Sequence, residues 1–447
     1  MTQYTPRARK RLVVGLGKTG LSCARYLAQQ GLQVAVTDTR AKPPGLSALQ
    51  DALPDVALFL GGFNPAAFEN AEQIVVSPGV SLNEPLLVAA RTRGVEVIGD
   101  IELFARAATA PVVAITGSNG KSTVTTLVGE MARWAGKDVR VGGNLGTPAL
   151  DLLADSEPEL YVLELSSFQL ESTSSLHPCA AVVLNLSPDH LDRYQSMSEY
   201  MQAKQQVYKG AQVQVVNADD ALAAGLADPE RPWVRFTMNE PAGDDFGIRC
   251  RDGVDWLVRG TRWLIPTAQL RLVGRHNFAN ALAALALGEA AGLEIEPMLE
   301  VLREFPGLPH RTQFIAERDG IRWYNDSKGT NLGATLAAIE GMPGPVVLIA
   351  GGEGKGADFS PLKDVLAARG RAAVLIGRDA ALIEKAVDKA VPCIRAADMD
   401  EAVVRAGELA RPGDHVLLSP ACASFDMFGG YEERGRVFEN AVRRLLS

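Results

Sequence analysis

The chain is poor in cysteine. Its 447 residues include five, Cys23, Cys179, Cys250, Cys393 and Cys422, scattered and never spaced as C-x-x-C. An odd, sparse set offers no disulfide framework and predicts reduced thiols in a reducing compartment, which here means the cytoplasm. A basic excess is also missing. The net charge of −8 argues against nucleic acid as the main partner. Long apolar runs are absent too. The start, MTQYTPRARKR, is basic, but the apolar run after it is short and broken by Gly15, Gly17 and Lys18. Neither a signal peptide nor a membrane-spanning stretch is expected. There is no internal repeat and no low-complexity tract. What is present is ordinary for a soluble α/β protein, with 47% hydrophobic residues. A chain of this length exceeds a single core, so two or three domains are expected.

The most informative segment is ITGSNGKST, Ile115–Thr123. It follows the apolar run Pro111–Ile115 and precedes a helical pattern from Thr123 to Trp134. Strand, glycine loop, lysine, hydroxyl and helix together predict a phosphate-binding loop. Glycines let backbone N–H groups converge on phosphate oxygens, and the helix N-terminus adds positive potential. Gly117, Ser118, Asn119 and Gly120 would form the cradle. Lys121 would reach the β- and γ-phosphates, and Ser122 or Thr123 would ligate Mg²⁺. Ile115 stands where the common motif has its first glycine. Two later strand ends gather polar groups in the same unit. Glu164 closes the strand Leu160–Leu165, and His190 follows the strand Ala180–Leu186 with Asp189 and Asp192 beside it. A carboxylate at such an edge suits Mg²⁺. Residues 246–271 predict a small antiparallel appendage. It ends at Gly274, and Asn277 and Asn280 open the next helix as caps or as ligand contacts.

Two further α/β units flank this one. The first carries Gly15-Leu16-Gly17-Lys18-Thr19-Gly20 after the strand Leu12–Val14, with Asp38 closing the next strand. This is a complete G-x-G-x-x-G fingerprint. It fits a dinucleotide, a nucleotide-sugar diphosphate, or a tight turn with no ligand. The third unit opens at Phe305–Arg311, where two prolines and a glycine punctuate a boundary. Strands are expected at 323–325, 346–350, 373–376 and 416–419. Polar clusters follow them at Asn325–Asn331, Gly351–Gly356 and Ser419–Asp426. The Gly-Gly-x-Gly-Lys-Gly run reads as a second phosphate loop or as a βα turn.

In chain order, GSNGKST, LELSSFQLE, NLSPDHLDRY, GRHNFANALAA, GLPHR, NDSKGTN, GGEGKGADFSPL and SPACASFDMF resemble the Mur ligases, over nearly the whole chain. LELSSFQLE and NDSKGTN are the sharpest markers, and they resemble the D-glutamate-adding branch. Folylpolyglutamate synthase shares the central domain but not the N-terminal glycine loop.

The resemblance implies an α/β protein of three domains. Residues 1–100 would be a Rossmann-like domain for a UDP substrate. Residues 101–304 would be a P-loop ATPase-like domain with the antiparallel appendage, and 305–447 a second Rossmann-like domain for an amino acid. It implies an ATP-dependent amide ligase that joins D-glutamate to UDP-N-acetylmuramoyl-L-alanine through an acyl phosphate. Two Mg²⁺ ions would assist, and a monomer is expected. Gly17, Lys18, Thr19 and Gly20 would lie near the diphosphate, Asp38 and Thr39 near the uracil, and Asn144 would hold the same substrate. Lys121, Ser122 and Glu164 would serve ATP-Mg²⁺, and His190 a second Mg²⁺. Lys204 matches a carbamylated lysine, whose carbamate is an anion and can ligate a cation. Asn277 and Arg311 would contact ATP, and Asp326 its ribose. Lys328 would meet D-glutamate, while Thr330, Lys355, Ser424, Phe425 and Tyr431 would line or close that pocket. The family usually has an uncharged residue at Lys18 and an aspartate at Glu353.

Overall fold

The computed structural model describes residues 10–153, 156–190, 193–272 and 274–446. The basic start Met1–Arg9, the acid Asp192 and neighbouring Leu191 lie outside the described residues.

Three sheets follow one another along the chain. The first has five parallel strands in the order Ala57–Leu60, Gln33–Asp38, Lys10–Val14, Gln73–Val76, Glu96–Ile98. The chain crosses from one side of Lys10–Val14 to the other, so the glycine loop leaves the sheet at its topological switch point, where ligands of such sheets bind. The helix Lys18–Gln29 starts inside the motif. Gly20 lies within that helix, and a Cβ there would come 1.9 Å from the Gly15 carbonyl oxygen. The last motif glycine therefore permits helix and loop to touch.

The central sheet has nine strands. Val112–Thr116 lies between Leu160–Glu164 and Ala180–Val183, parallel to both. This places the phosphate loop, Glu164 and the segment after Val183 at one sheet edge. The helix Lys121–Trp134 begins two residues before the apolar periodicity does. The antiparallel strands Phe246–Arg251, Val254–Arg259 and Arg262–Pro266 form no separate module. They extend the sheet through a single parallel register pair, Phe236 with Phe246.

The third sheet has six strands in the order Gln313–Arg318, Ile321–Asn325, His415–Leu418, Val346–Gly351, Gly370–Ile376, Cys393–Arg395. Its first strand is antiparallel and is not evident in the sequence pattern. QFIAER alternates weakly, and Phe314 is half exposed on an edge, so hydrophobic periodicity is faint there. The Gly351–Gly356 run is a turn and not a second phosphate loop. The next helix, Pro361–Arg369, starts too late to aim its N-terminus at the run. Glu353 pairs by backbone with Ala423 and by side chain with Arg378.

The cores divide differently from the sheets. One apolar cluster runs from Val13, Leu16, Cys23 and Leu27 through Ile101 and Phe104 to Ala114, Tyr161 and Leu163, and so spans the first two sheets. Ser22 Oγ donates to Asp151 across the same seam at 2.6 Å. The third sheet builds two clusters from its own residues alone. Among the described residues, no helix is long and apolar enough to cross a membrane.

Gly20→Ala forces overlap between two backbones. We expect a loss of about 1–3 kcal/mol or more in urea denaturation. A substitution at Gly17, where a Cβ would meet nothing within 4 Å, should cost much less.

Candidate active site

The phosphate loop owes its shape to close approaches. Gly120 has φ +84°, and a Cβ there would lie 2.4 Å from Asn280 Oδ1. Asn185, just past the strand Ala180–Val183, holds the loop from outside. Its Oδ1 accepts from Asn119 N at 2.8 Å, its carbonyl from Ser118 N at 2.9 Å, and its Nδ2 donates to the Asn119 carbonyl at 3.1 Å.

Two lysines converge on this loop. Lys121 Nζ donates to the carbonyls of Gly117 and Ser118, at 2.7 and 2.9 Å. Lys204, on the helix Met197–Gln205, is 2% exposed and donates to the same Gly117 carbonyl at 2.9 Å. Its ammonium stands over the Tyr200 ring at 4.6 Å. Among the described residues neither lysine forms a salt bridge with a carboxylate. Burial, and then the charge of Lys121, pushes the Lys204 amine far below the ordinary lysine range. Burial also lowers Lys121.

Opposite them stands Glu164, 3% exposed. One carboxylate oxygen accepts from Asn144 Nδ2 at 2.6 Å, and the other is buried with no partner. His190, at φ +56°, packs edge-on to Phe168 with ring centroids 4.8 Å apart. Burial lowers its pKa and favours the neutral imidazole, which can ligate a cation. No group of three or more His, Cys, Asp or Glu side chains converges among the described residues. A cation here would need hydroxyls, a modified lysine or substrate oxygens to complete its shell. The orphaned Glu164 oxygen and the Ser122 hydroxyl are hard donors that fit Mg²⁺, and the neutral imidazole is a borderline nitrogen donor beside them.

Three cavities meet at this point. One of about 300 Å³ is lined by Asn119, Gly120, Thr123, Asn277, Asn280, Arg311 and Asp326, with Leu184, Phe236 and Ala337 as an apolar wall. A second, about 900 Å³, lies over the first sheet, against Gly17, Lys18, Thr19, Asp38, Thr39, Asn144 and Tyr431. The third, about 270 Å³, joins Ser118–Ser122, Glu164, His190, Lys204, Thr330 and Lys355. Lys328 lines all three. Its ammonium stands 3.8 Å from the Tyr431 ring centroid. Burial, then the nearby Arg311 charge, lowers its pKa to about 8.

Most of the residues singled out from sequence therefore gather here. Some do not line the cavities. Gly20 is packed inside its helix. Gly117 offers its carbonyl to the two lysines. Ser424 is buried, while Phe425 is 70% exposed. Asn277 and Asn280 do not cap their helix. It runs Arg275–Ala290 with Gly274 at the cap, so both amides lie inside it, and Asn280 Nδ2 donates to Asn277 Oδ1 at 3.1 Å. Asp38 accepts from Leu16 N at 2.7 Å and from Arg40. Burial pulls its pKa up, but these bonds outweigh it and hold the pKa near 2. Lys18 crosses to the Gly146 carbonyl.

Other contributors were not singled out from the sequence. Arg434 is 1% exposed and bonds Ser327 Oγ, Ser327 O and the Cys422 carbonyl, tying together the two loops that bear Lys328 and Ser424. His310 and Thr312 flank Arg311 with φ of +61° and +49°. A β-branched residue is a true outlier there. Asp326 holds it, accepting from Thr312 N at 3.0 Å. Burial raises the Asp326 pKa to about 6. The kinked backbone sends Arg311 across to Ser122 Oγ, 2.6 Å away.

Comparison with known proteins agrees with this geometry. Residues 9–99 match the model described as Mur ligase MurD-like, N-terminal domain. Residues 115–288 match the Mur ligase middle domain, and 310–422 the Mur ligase, glutamate ligase domain. The chain belongs to the Mur ligase family. UDP-N-acetylmuramoylalanine–D-glutamate ligase of Nitrosococcus oceani is 58% identical over 438 residues, 98% of this chain and 97% of that protein. The protein of the same name from Pseudomonas aeruginosa is 55% identical over 439 residues, 97% and 98% of the two chains. Among solved structures, MurF ligase of Thermotoga maritima in complex with ADP aligns with TM-score 0.61 at 15% identity, covering 98% of this chain and 99% of that one. UDP-N-acetylmuramate-alanine ligase MurC of the same organism gives 0.59 at 19%, covering 98% and 99%. At these identities the structural likeness speaks to the fold, and this Mur ligase shares the three-domain α/β architecture.

An ammonium buried among neutral partners is costly. Lys204→Met keeps the volume and removes the charge. In CO₂-free buffer it should raise unfolding free energy by about 1 kcal/mol or more. A lower value in denaturant titration would mean that the amine stabilises the fold.

Proposed function

We propose that this Mur ligase joins D-glutamate to UDP-N-acetylmuramoyl-L-alanine, releasing ADP and phosphate, in the synthesis of peptidoglycan precursors. The carrying observation is the position of Lys328. It stands where a phosphate-loop cavity, a glycine-loop cavity and the cavity between them meet. A ligation of three substrates needs such a junction. The names of the 58% and 55% identical relatives supply the choice of amino acid.

Each role has a physical reason. The large cavity takes the UDP substrate, with its diphosphate at Gly17–Thr19 and Lys18, and its uracil near Asp38 and Thr39. Asn144 orients the end that reacts. ATP lies along the phosphate loop, its base towards Asn277 and its ribose towards Asp326. Lys121 and Arg311 hold its phosphates, and the planar guanidinium suits their oxygens. Ser122, Glu164, His190 and a carbamate on Lys204 would hold two Mg²⁺ ions. The support for the carbamate is an amine that burial pushes towards its neutral form, the form nucleophilic towards CO₂. Bound Mg²⁺ would supply charge neutralisation and polarise phosphoryl oxygens.

The terminal carboxylate of UDP-N-acetylmuramoyl-L-alanine attacks the γ-phosphorus, the bond to ADP breaks, and an acyl phosphate forms. The neutral amine of D-glutamate then attacks the acyl carbon. Collapse of the tetrahedral adduct expels phosphate, and the amine loses its proton. Lys328 and Thr330 match the two carboxylates of D-glutamate, and the Ser424 hydroxyl, which lines none of the three cavities, joins them once the site closes. Tyr431 and Phe425 cover them and keep water from the acyl phosphate.

The test is phosphate release from ATP and UDP-N-acetylmuramoyl-L-alanine with a panel of amino acids. D-glutamate should be the preferred substrate. Preference for L-lysine or meso-diaminopimelate would overturn the reading. Lys121→Ala should abolish turnover and spare UDP-substrate binding, because the two ligands use loops in different domains. Lys328→Ala should cost about 2–5 kcal/mol in D-glutamate use, roughly 30- to 5,000-fold, against about 1–3 kcal/mol for Ser424→Ala. The pH dependence has a fixed sign. Lys328 is charged below about pH 8 and neutral above it. Glutarate, a dicarboxylate without a titrating amine, should therefore inhibit progressively less as pH rises through 8. Lys328→Arg should abolish that trend.

A further inference from the structure

The first two sheets share an apolar core, and the third does not. What crosses from the third unit to the phosphate loop is polar and local. Asn331 and Asn119 face each other amide to amide. Asn331 Nδ2 donates to Asn119 Oδ1 at 3.1 Å, and Asn119 Nδ2 to Asn331 Oδ1 at 3.4 Å. Asn331 Nδ2 also donates to Asp189 Oδ2 at 3.1 Å, next to His190. The same residue caps its own helix, Leu332–Gly341, accepting from Ala334 N.

Two residues on, Gly333 lets that helix approach. A Cβ there would lie 2.9 Å from Ser187 Oγ and 3.0 Å from Ser187 Cβ. The hydroxyl could swing aside. The Cβ rides on the backbone of the segment that also bears Asp189 and His190, so it could not. Glycine here has an ordinary helical conformation and is the weaker helix former by about 1 kcal/mol. Its reason for being there is the neighbouring domain, not its own helix.

We propose that Asn331 and Gly333 form a latch by which the third domain docks on the phosphate loop. Asn331 acts as a positioning residue, setting Asn119 and Asp189, and the docked state brings Lys328 and Arg311 over the phosphates. The roles of Lys328 and Arg311 rest on the ligase reading above, whereas the docking itself does not.

The experiment measures docking and turnover separately. Small-angle scattering of the full chain with Mg²⁺ and a non-hydrolysable ATP analogue reports how compact the molecule is. Wild type should be compact. Gly333→Ala should be more expanded and Gly333→Val more so, with normal thermal stability, since alanine favours the helix. Turnover should fall about tenfold or more, with the KM for the UDP substrate within about threefold of wild type. Adding Ser187→Gly removes both atoms that the new methyl meets, and should restore compactness and rate to Gly333→Ala. Asn331→Ser keeps a cap but cannot reach Asn119, and should lower turnover without unfolding. The latch is refuted if Gly333→Val is as compact as wild type, or if Ser187→Gly fails to restore Gly333→Ala. Failure of the ligase reading would appear instead as wild-type enzyme with no D-glutamate-dependent phosphate release.

Discussion

Two buried lysine amines share one carbonyl oxygen, that of Gly117, and among the described residues neither has a carboxylate bonded to it. Much of the site follows from that crowding, because burial opposes a positive charge on either amine. In a low-dielectric pocket it is unfavourable until anions arrive. Glu164 and Asp189 are the nearby counter-charges, yet Glu164 is tied to Asn144 with one oxygen unpaired, and Asp189 accepts from Asn331. The site therefore keeps lysines and an acid apart at the cost of folding energy. A triphosphate, a cation and a carbamate would each repair part of the imbalance. Arg311 adds a further positive charge from another domain, anchored on Ser122.

Keeping these charges apart requires rigid backbone, and the sheets supply it. Three of the loops that line the cavities leave the carboxyl ends of parallel strands. The glycine loop follows Lys10–Val14, the phosphate loop Val112–Thr116, and the Lys328 loop Ile321–Asn325. Glycines then let loop and neighbour touch. Asparagines 119, 185, 280 and 331 fill the gaps with amides that both donate and accept. Such a network shapes the loop without adding charge to a place already overcharged.

The parts of this arrangement evident in the sequence were those with a local signature. GSNGKST announces itself because strand, glycines, lysine and helix are contiguous. Glu164 and His190 could be picked out because they sit just past apolar runs. The strand Gln313–Arg318 could not, because it lies on an edge with one apolar side chain facing solvent. Arg434 is also silent. An arginine in an amphipathic C-terminal helix reads as a surface charge, and only the fold brings it under Ser327 and Cys422. The reading of Asn277 and Asn280 as caps failed for a related reason. Asparagine at a helix start usually serves its own helix, but here Asn280 faces a tertiary partner, Gly120, and donates to Asn277. Gly20 shows the converse. Its motif position suggests ligand contact, and the structure uses it for packing.

The apolar seam across the first two sheets has a thermodynamic consequence. Ile101, Phe104 and Tyr161 belong to the same cluster as Val13 and Leu27, so melting either sheet exposes the face of the other. Three domains in sequence thus make two cooperative blocks in energy, one of about three hundred residues and one of the rest. A heat-capacity trace would hold two endotherms, not three. A nucleotide held as proposed, between the phosphate loop and Arg311, would raise both. The UDP moiety would raise the first alone.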